Sequence, residues 1–415
     1  MGILFGLKIA SLFILGLLIW WNLIWFRNFS RLLRTPVTGD FPDSELPRTL
    51  VILCLRGSDP FLRQTLSALT QQTYQNFDLR VVIDHPADSS AAVVRQFQEE
   101  TGFDRLQLRY LHRRRRTCSL KVSALLQELT HLDSSYKVVV QLDADAVPYP
   151  GWLAEMVTPL RDPQVGATSG LRWYMPYKSN WASLLRYVWG ISGTVQMHQF
   201  GMPWGGSLAF RRELLTRTRL LKLWRHSLTD DLVFDGVLQQ SGLRLQFVPA
   251  VMVNREETNL KDCYSFVQRQ ILLARHYHSQ WRSVASFAFL NGACFVTSVL
   301  FNAIGDHSRS GLLYWAGWIG MLSYLITYSM LVARAEQIVR RKVLLQGGAV
   351  TPIDYRYILV QPAALMMHMV ATASALLCRH VNWRGVAYQV SRGGRVKVLR
   401  DEPYLQDSTS QASIV

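Results

Sequence analysis

The chain has 415 residues, with 45 Lys or Arg against 29 Asp or Glu for a net charge of +16, and 49% of it is apolar. Basic charge combined with that apolarity suits a protein working on an anionic bilayer; a nucleic-acid role would rest on charge alone, since no aromatic-basic recognition motif accompanies it. The five cysteines (Cys54, Cys118, Cys263, Cys294 and Cys378) contain no C-x-x-C pair, which argues against zinc and redox motifs and fits a reducing, cytoplasm-facing catalytic part.

Residues 3–26 are predominantly apolar, with Lys8 as the only charge, and end in Trp20, Trp21 and Trp25. Without a small-residue cleavage site this stretch reads as a membrane anchor with an aromatic belt. Arg27, Arg31 and Arg34 follow at once and place the polar region 27–282 in the cytoplasm by the positive-inside rule.

Within that region strands are expected at 50–55, 79–83, 106–111 and 137–142, and helices at 60–71 (with Asp59 as N-cap), 89–100 and 120–132. The alternation argues a mainly parallel sheet covered on both faces, whose ligands bind beyond the carboxyl ends of the strands. Residues 181–188 follow helical spacing with few charges, which fits either an interfacial helix or ordinary core packing. The run His112 to Arg116 is basic and reads as an anion-binding segment or a solvated face.

Three further apolar stretches lie at 284–304, 312–333 and 358–378, within a membrane region 283–378, and a basic tail occupies 379–415. The last stretch carries Gln361, Pro362 and His368 and is open to a re-entrant reading. Four full crossings would put the basic tail outside, against the positive-inside rule. A multi-pass integral membrane protein is expected.

The chemistry concentrates at Val140-Gln141-Leu142-Asp143-Ala144-Asp145, a buried-type strand that breaks off at two carboxylates one residue apart. Such a pair is a hard-oxygen site for Mg²⁺ or Mn²⁺ against a diphosphate, the chemistry of a nucleotide-sugar transferase. Asp84 ends an earlier strand in the same way, and Thr229-Asp230-Asp231 adds two more acids.

In these motifs the chain resembles the family 2 inverting glycosyltransferases, and among them the membrane-bound ceramide glucosyltransferase-like branch. Val81-Val82-Ile83-Asp84 is similar to the family's first aspartate, Asp143-Ala144-Asp145 to its Asp-x-Asp, and Thr229-Asp230-Asp231 to the motif that ends in its base. Trp204-Gly205-Gly206 through Arg212 is similar to the strand near the acceptor site, and Trp383-Arg384-Gly385 with Tyr388 to a signature after the last span. The family's Gln-x-x-Arg-Trp is incomplete: the stretch around Gln268, Gln270 and Arg275 has Leu272-Leu273 where Arg-Trp would stand.

The resemblance implies an α/β fold: a nucleotide-diphospho-sugar transferase domain (GT-A, Rossmann-like) with one N-terminal and about three C-terminal transmembrane helices. It implies transfer of a hexose, glucose first, from a UDP-sugar to a lipid hydroxyl such as ceramide or diacylglycerol. Asp231 would be the base, Asp84 the uracil contact, Asp145 the direct ligand of Mg²⁺ or Mn²⁺, and Asp143 a donor contact nearer the ribose that shares the metal. Asp230, Gln270, Arg275, Trp204, Gly205 and Gly206 would contact acceptor or diphosphate, with Arg275 replacing the missing cation from one turn further along its helix. The alternatives are a processive polysaccharide synthase and a non-catalytic membrane scaffold.

Overall fold

The computed structural model describes residues 2–35, 46–178, 180–304 and 311–402. A seven-stranded sheet runs in the order β3-β2-β1-β4-β6-β5-β7. Its strands are β1 (Thr49–Leu55), β2 (Phe77–Ile83), β3 (Leu106–Tyr110), β4 (Val138–Leu142), β5 (Val165–Tyr174), β6 (Ser207–Arg211) and β7 (Arg244–Asn254). The first four are parallel to one another, as expected from the alternation, while β6 runs antiparallel between β4 and β5. The sheet is therefore mixed.

Register decides what meets at its edge. Leu55 pairs with Ile83, Leu53 with Leu142, and Leu142 with Ser207. The carboxyl ends of β1, β2 and β4 and the start of β6 thus share one edge, where Arg56, Asp84, Asp143 and Gly206 follow or precede them.

Helices α2 (Leu62–Thr70), α3 (Ser89–Thr101), α4 (Leu120–Leu129), α5 (Trp152–Val157) and α6 (Trp181–Phe200) connect these strands in chain order. Short α7 (Glu213–Arg217), α8 (Leu220–Trp224) and α9 (Phe234–Gln240) precede β7, and α10 (Leu260–Tyr277) follows it. Asp88 caps α3, Ser119 caps α4 and Asn180 caps α6 through their side-chain oxygens, each answering an amide that the first turn leaves free. Asp59 does not cap α2; it accepts the Phe61 amide in the preceding turn. Two of the apolar clusters flank β1, β4 and β6, one built on Leu50, Val139 and Phe210 with α4, the other on Val51, Val140 and Ala209 with α2 and α5. Because side chains alternate along a strand, neighbouring residues of β1, β4 and β6 supply opposite clusters. Helix α6 is buried along most of its length, so core packing accounts for its apolar spacing, and of its apolar residues only Trp181 at its start is strongly exposed.

Four long helices complete the chain: α1 (Gly2–Arg34), α11 (Trp281–Ile304), α12 (Gly311–Leu345) and α13 (Tyr357–Leu377). Among the described residues three stretches are long and apolar enough to cross a bilayer, Ile9–Arg34, Trp281–Leu300 and Tyr357–Leu377. The stretch 312–333 lies within α12, whose later turns carry Glu336 and Arg340. Buried Glu336 accepts from the indole of Trp173 on β5 at 2.7 Å and from Arg340 at 2.6 Å, which fastens α12 to the sheet.

Both ends of α13 touch the sheet domain. Tyr357 meets the Tyr187 ring on α6, and at the other end Arg275 of α10 donates to the Ala375 carbonyl at 2.6 Å. The tail then folds as a second sheet of β8 (His380–Trp383), β9 (Val386–Val390) and β10 (Val396–Asp401). It lies against α4, with Tyr388 accepting from the Leu120 amide at 3.3 Å and the Val398 amide donating to the Arg116 carbonyl at 2.9 Å.

Candidate active site

The shared strand edge opens into a cleft of about 590 Å³ lined by Asp84, Asp143, Asp145, Trp204, Gly205, Asp230, Asp231 and Gln270. Residues from five stretches far apart in sequence meet here. Gly206 sits immediately behind them, its carbonyl accepting from the Asp143 amide at 3.3 Å. Arg275 does not join: it faces the end of α13. On the same helix it is Arg269 that lines the cleft.

Asp84 leaves β2 almost fully buried, with one carboxylate oxygen paired to Arg56 and the other, Oδ1, without a partner. Burial raises its pKa, against the pull of Arg56 and Arg114. Those two arginines also hold the tail sheet: Arg114 lies 2.6 Å from Asp401, and Arg56 donates to the Arg384 carbonyl at 2.7 Å. Within the basic run, Arg114 is thus a clamp on β10.

Lys121, on the first turn of α4, lies 2.8 Å from Asp143 Oδ1 and 3.0 Å from Asp230 Oδ2 and donates to the Gly205 carbonyl at 3.2 Å. Burial alone would lower the ammonium's pKa, but the two carboxylates outweigh it and raise it well above the ordinary value. In return Asp143, although buried, is held below the usual carboxylate range. Asp145 lacks such a cation: its Oδ2 accepts from Asn254 at 2.8 Å, and burial together with the Asp143 charge pushes it up to about 7. Asp230 is pushed up to about 6 by burial, against Lys121 and with Asp231 and Asp143 adding to it.

Asp231 is gripped from three sides. Its Oδ2 accepts from the Gly205 amide at 2.7 Å, and its Oδ1 accepts from the Leu232 amide at 2.7 Å and from the Thr229 hydroxyl. Thr229 therefore orients the acid and does not cap α9, which begins later, at Phe234. The two glycines are dictated by close approach. A Cβ on Gly205 would strike the Asp230 carboxylate, and one on Gly206 would strike the Trp204 ring and lie 2.6 Å from Asp143 Oδ2.

Two guanidinium groups in the cleft have no carboxylate partner among the described residues. Arg172 lies over Trp204 and Phe266, at 5.3 and 5.1 Å from their ring centres, and Arg269 lies over Phe266 and Trp383 at 5.7 and 5.2 Å. Burial, with Arg172 nearby, lowers Arg269 to about 10. An arginine of α10 thus meets a tryptophan in space, with the tryptophan supplied by the tail sheet. Arg384, in a left-handed turn at φ +46° beside Gly385, reaches back to donate to the Arg56 carbonyl at 2.8 Å and stands 3.6 Å from Asp59.

No three His, Cys, Asp or Glu side chains gather into a metal cage among the described residues. Asp143 and Asp145 nevertheless fit a divalent ion that keeps positions open for phosphate oxygens: both are hard oxygen donors, and the raised pKa of Asp145 marks negative charge that a cation would relieve.

No curated protein matches the chain in sequence. Among solved structures, a mannosyltransferase from Pyrobaculum calidifontis, in complex with GDP-Man and Mn²⁺, is similar at 20% identity over 88% of this chain and 99% of that one, with a TM-score of 0.49. Glucosyl-3-phosphoglycerate synthase from Mycobacterium tuberculosis, in complex with Mn²⁺ and UDP-glucose, is similar at 15% identity over 57% of this chain and 83% of that one, with a TM-score of 0.38. The family model of glycosyl transferase family 21 matches residues 28–396, from the last turns of α1 into β10, so the chain belongs to that ceramide glucosyltransferase-like family and is a nucleotide-sugar glycosyltransferase.

Proposed function

We propose that the protein is an integral-membrane, inverting hexosyltransferase that moves glucose from UDP-glucose to a lipid hydroxyl, ceramide or diacylglycerol, on the cytoplasmic side. The lipid half of this reading is carried by one observation: the cleft wall that supplies Phe266 and Arg269 is α10, and α10 packs directly against α13, an apolar helix of membrane-spanning length.

The chemistry follows from the side chains. Asp84 Oδ1, buried and unpartnered, accepts from the uracil N–H. Asp145, with Asp143 beside the ribose, would hold a Mg²⁺ or Mn²⁺ ion, which when bound offsets charge on the leaving diphosphate. Arg172 and Arg269 meet the same diphosphate, their positions fixed by the rings they lie over and neither of them in an ion pair among the described residues. Asp231 takes the proton of the acceptor hydroxyl as that oxygen attacks the anomeric carbon and the carbon–phosphate-oxygen bond breaks, its electrons leaving with UDP. This single displacement inverts the anomeric centre and needs no protein nucleophile; the cleft's thiol, Cys54, is kept protonated by burial, which pushes it up to about 12. Lys121 holds Asp143 and Asp230 in register between donor and base.

The test is transfer of label from UDP-glucose or UDP-galactose to ceramide or diacylglycerol by the purified protein in detergent with Mn²⁺ or Mg²⁺. Metal-dependent label in the organic phase is expected, and Asp231→Asn should remove it while leaving UDP binding intact. Label appearing in water-soluble polymer would replace this reading with a processive synthase.

A further inference from the structure

The fate of Arg275 points to a second site. Its guanidinium answers the Ala375 carbonyl near the end of α13 and faces away from the cleft into a separate cavity of about 170 Å³. That cavity is closed by His276 on α10, Leu376 and Leu377 at the end of α13, Arg379 before β8, and Arg392 on the turn between β9 and β10. Gly393 and Gly394 make this turn with φ of +85° and +77°, and Tyr277 fastens it by donating to the Gly394 carbonyl, so Arg392 is presented on a fixed loop. Neither Arg379 nor Arg392 forms an ion pair among the described residues, and no carboxylate lines the cavity.

Three guanidinium groups without a protein counter-charge repel one another, and an anion relieves that repulsion. The apolar side of the cavity says which kind. Leu377 is 85% exposed and Leu376 lies beside it at the last turn of an apolar helix, where acyl chains, not water, would cover them. We infer that this cavity binds the phosphodiester headgroup of an anionic glycerophospholipid, with Arg275, Arg379 and Arg392 on the phosphate and Leu376 and Leu377 against the chains. Basic pockets at the membrane-facing ends of helices hold such headgroups for the same reasons of charge and depth. The site is separate from the cleft, and the lipid bound there is not the acceptor.

The experiment compares the full-length protein, its Arg379→Gln/Arg392→Gln variant and the single Arg392→Gln variant in nanodiscs of phosphatidylcholine alone or with phosphatidylglycerol added. Lipid that remains bound after extraction into detergent is then counted by native mass spectrometry. Retained phosphatidylglycerol is expected on the wild type, reduced several-fold in the double variant and measurably in the single one, whose change on an exposed turn spares the fold. Equal retention by all three proteins would overturn the inference. So would retention of phosphatidylcholine equal to that of phosphatidylglycerol, or binding of inorganic phosphate with no lipid retained. The readout is independent of sugar transfer, so its failure and a failure of the proposed reaction are distinguishable.

Discussion

Nine carboxylates line the cleft with one lysine and several arginines, and the balance of charge there is uneven. Asp143 has Lys121; Asp145 has only the amide of Asn254. With Asp145 near 7 and Asp230 near 6, the metal-free native state holds protons that the unfolded chain releases near pH 4. The native state therefore binds more protons than the unfolded state between about pH 4 and 7, and stability falls as pH rises through that window. Thermal unfolding of the metal-free protein across this range should show the decline, and Mn²⁺ should reverse it with an affinity that increases toward pH 7, because Asp145 must lose its proton to ligate. A midpoint indifferent to pH and metal would remove Asp145 from the ion's site. Asp231 is a different kind of acid, fixed by three donors. Replacing it with Asn keeps its shape and removes its basicity, so kcat should fall by roughly 10²–10⁴ with little change in the KM for UDP-sugar. Arg269→Ala should instead raise that KM, since its charge meets a diphosphate present in ground state and transition state alike; steady-state kinetics separate the two effects.

At the level of elements, what could be read from sequence follows from how locally each element is specified. Strands β1, β2 and β4 are β-branched runs that stop at a charged residue, so their positions were legible, and so were the acids that follow β2 and β4. β5 mixes Gly166, Ser169, Gly170 and Arg172 among its apolar residues, so no two-residue period announces it; it is a strand because β6 and β7 flank it. The antiparallel insertion of β6 was hidden likewise, since strand direction is decided by partners. Arg269 was passed over for Arg275 because both lie on one helix and only packing against Phe266 and Trp383 distinguishes them. The buried contact of Glu336 with Trp173 and Arg340 was also invisible, as it joins elements remote in sequence. Glu336→Ala would leave Arg340 and the indole without their acceptor, and loss of one partner from a buried pair costs about 3–5 kcal/mol. A corresponding drop in the unfolding midpoint in detergent is expected, with Glu336→Gln milder because the indole keeps its acceptor.

For the whole molecule, we propose that the conflict between an even number of crossings and a basic tail is relieved by the packing of α13. Apolarity and length make this helix indistinguishable from a span in sequence, and composition alone cannot tell a helix that crosses from one that lies along a domain. Its contacts favour the second: Tyr357 meets α6 at one end, Arg275 meets Ala375 at the other, and the tail sheet then closes on Arg56 and Leu120 of the sugar-transferase domain. A helix whose ends both rest on one domain would return the chain to the side it left. On that reading the arginines of the tail would lie on the same side as Arg27, Arg31 and Arg34, as the positive-inside rule requires, and α11 with the apolar stretch 312–333 of α12 would form the outgoing and returning pair. Ser391→Cys in the tail and Arg113→Cys in the transferase domain should therefore be labelled alike by a membrane-impermeant maleimide, protected in intact cells and modified once the membrane is opened. Labelling of Ser391→Cys alone in intact cells would mean that α13 crosses, and Trp383 could not then reach Arg269; the cleft would lose a wall, and the donor site proposed here would be incomplete.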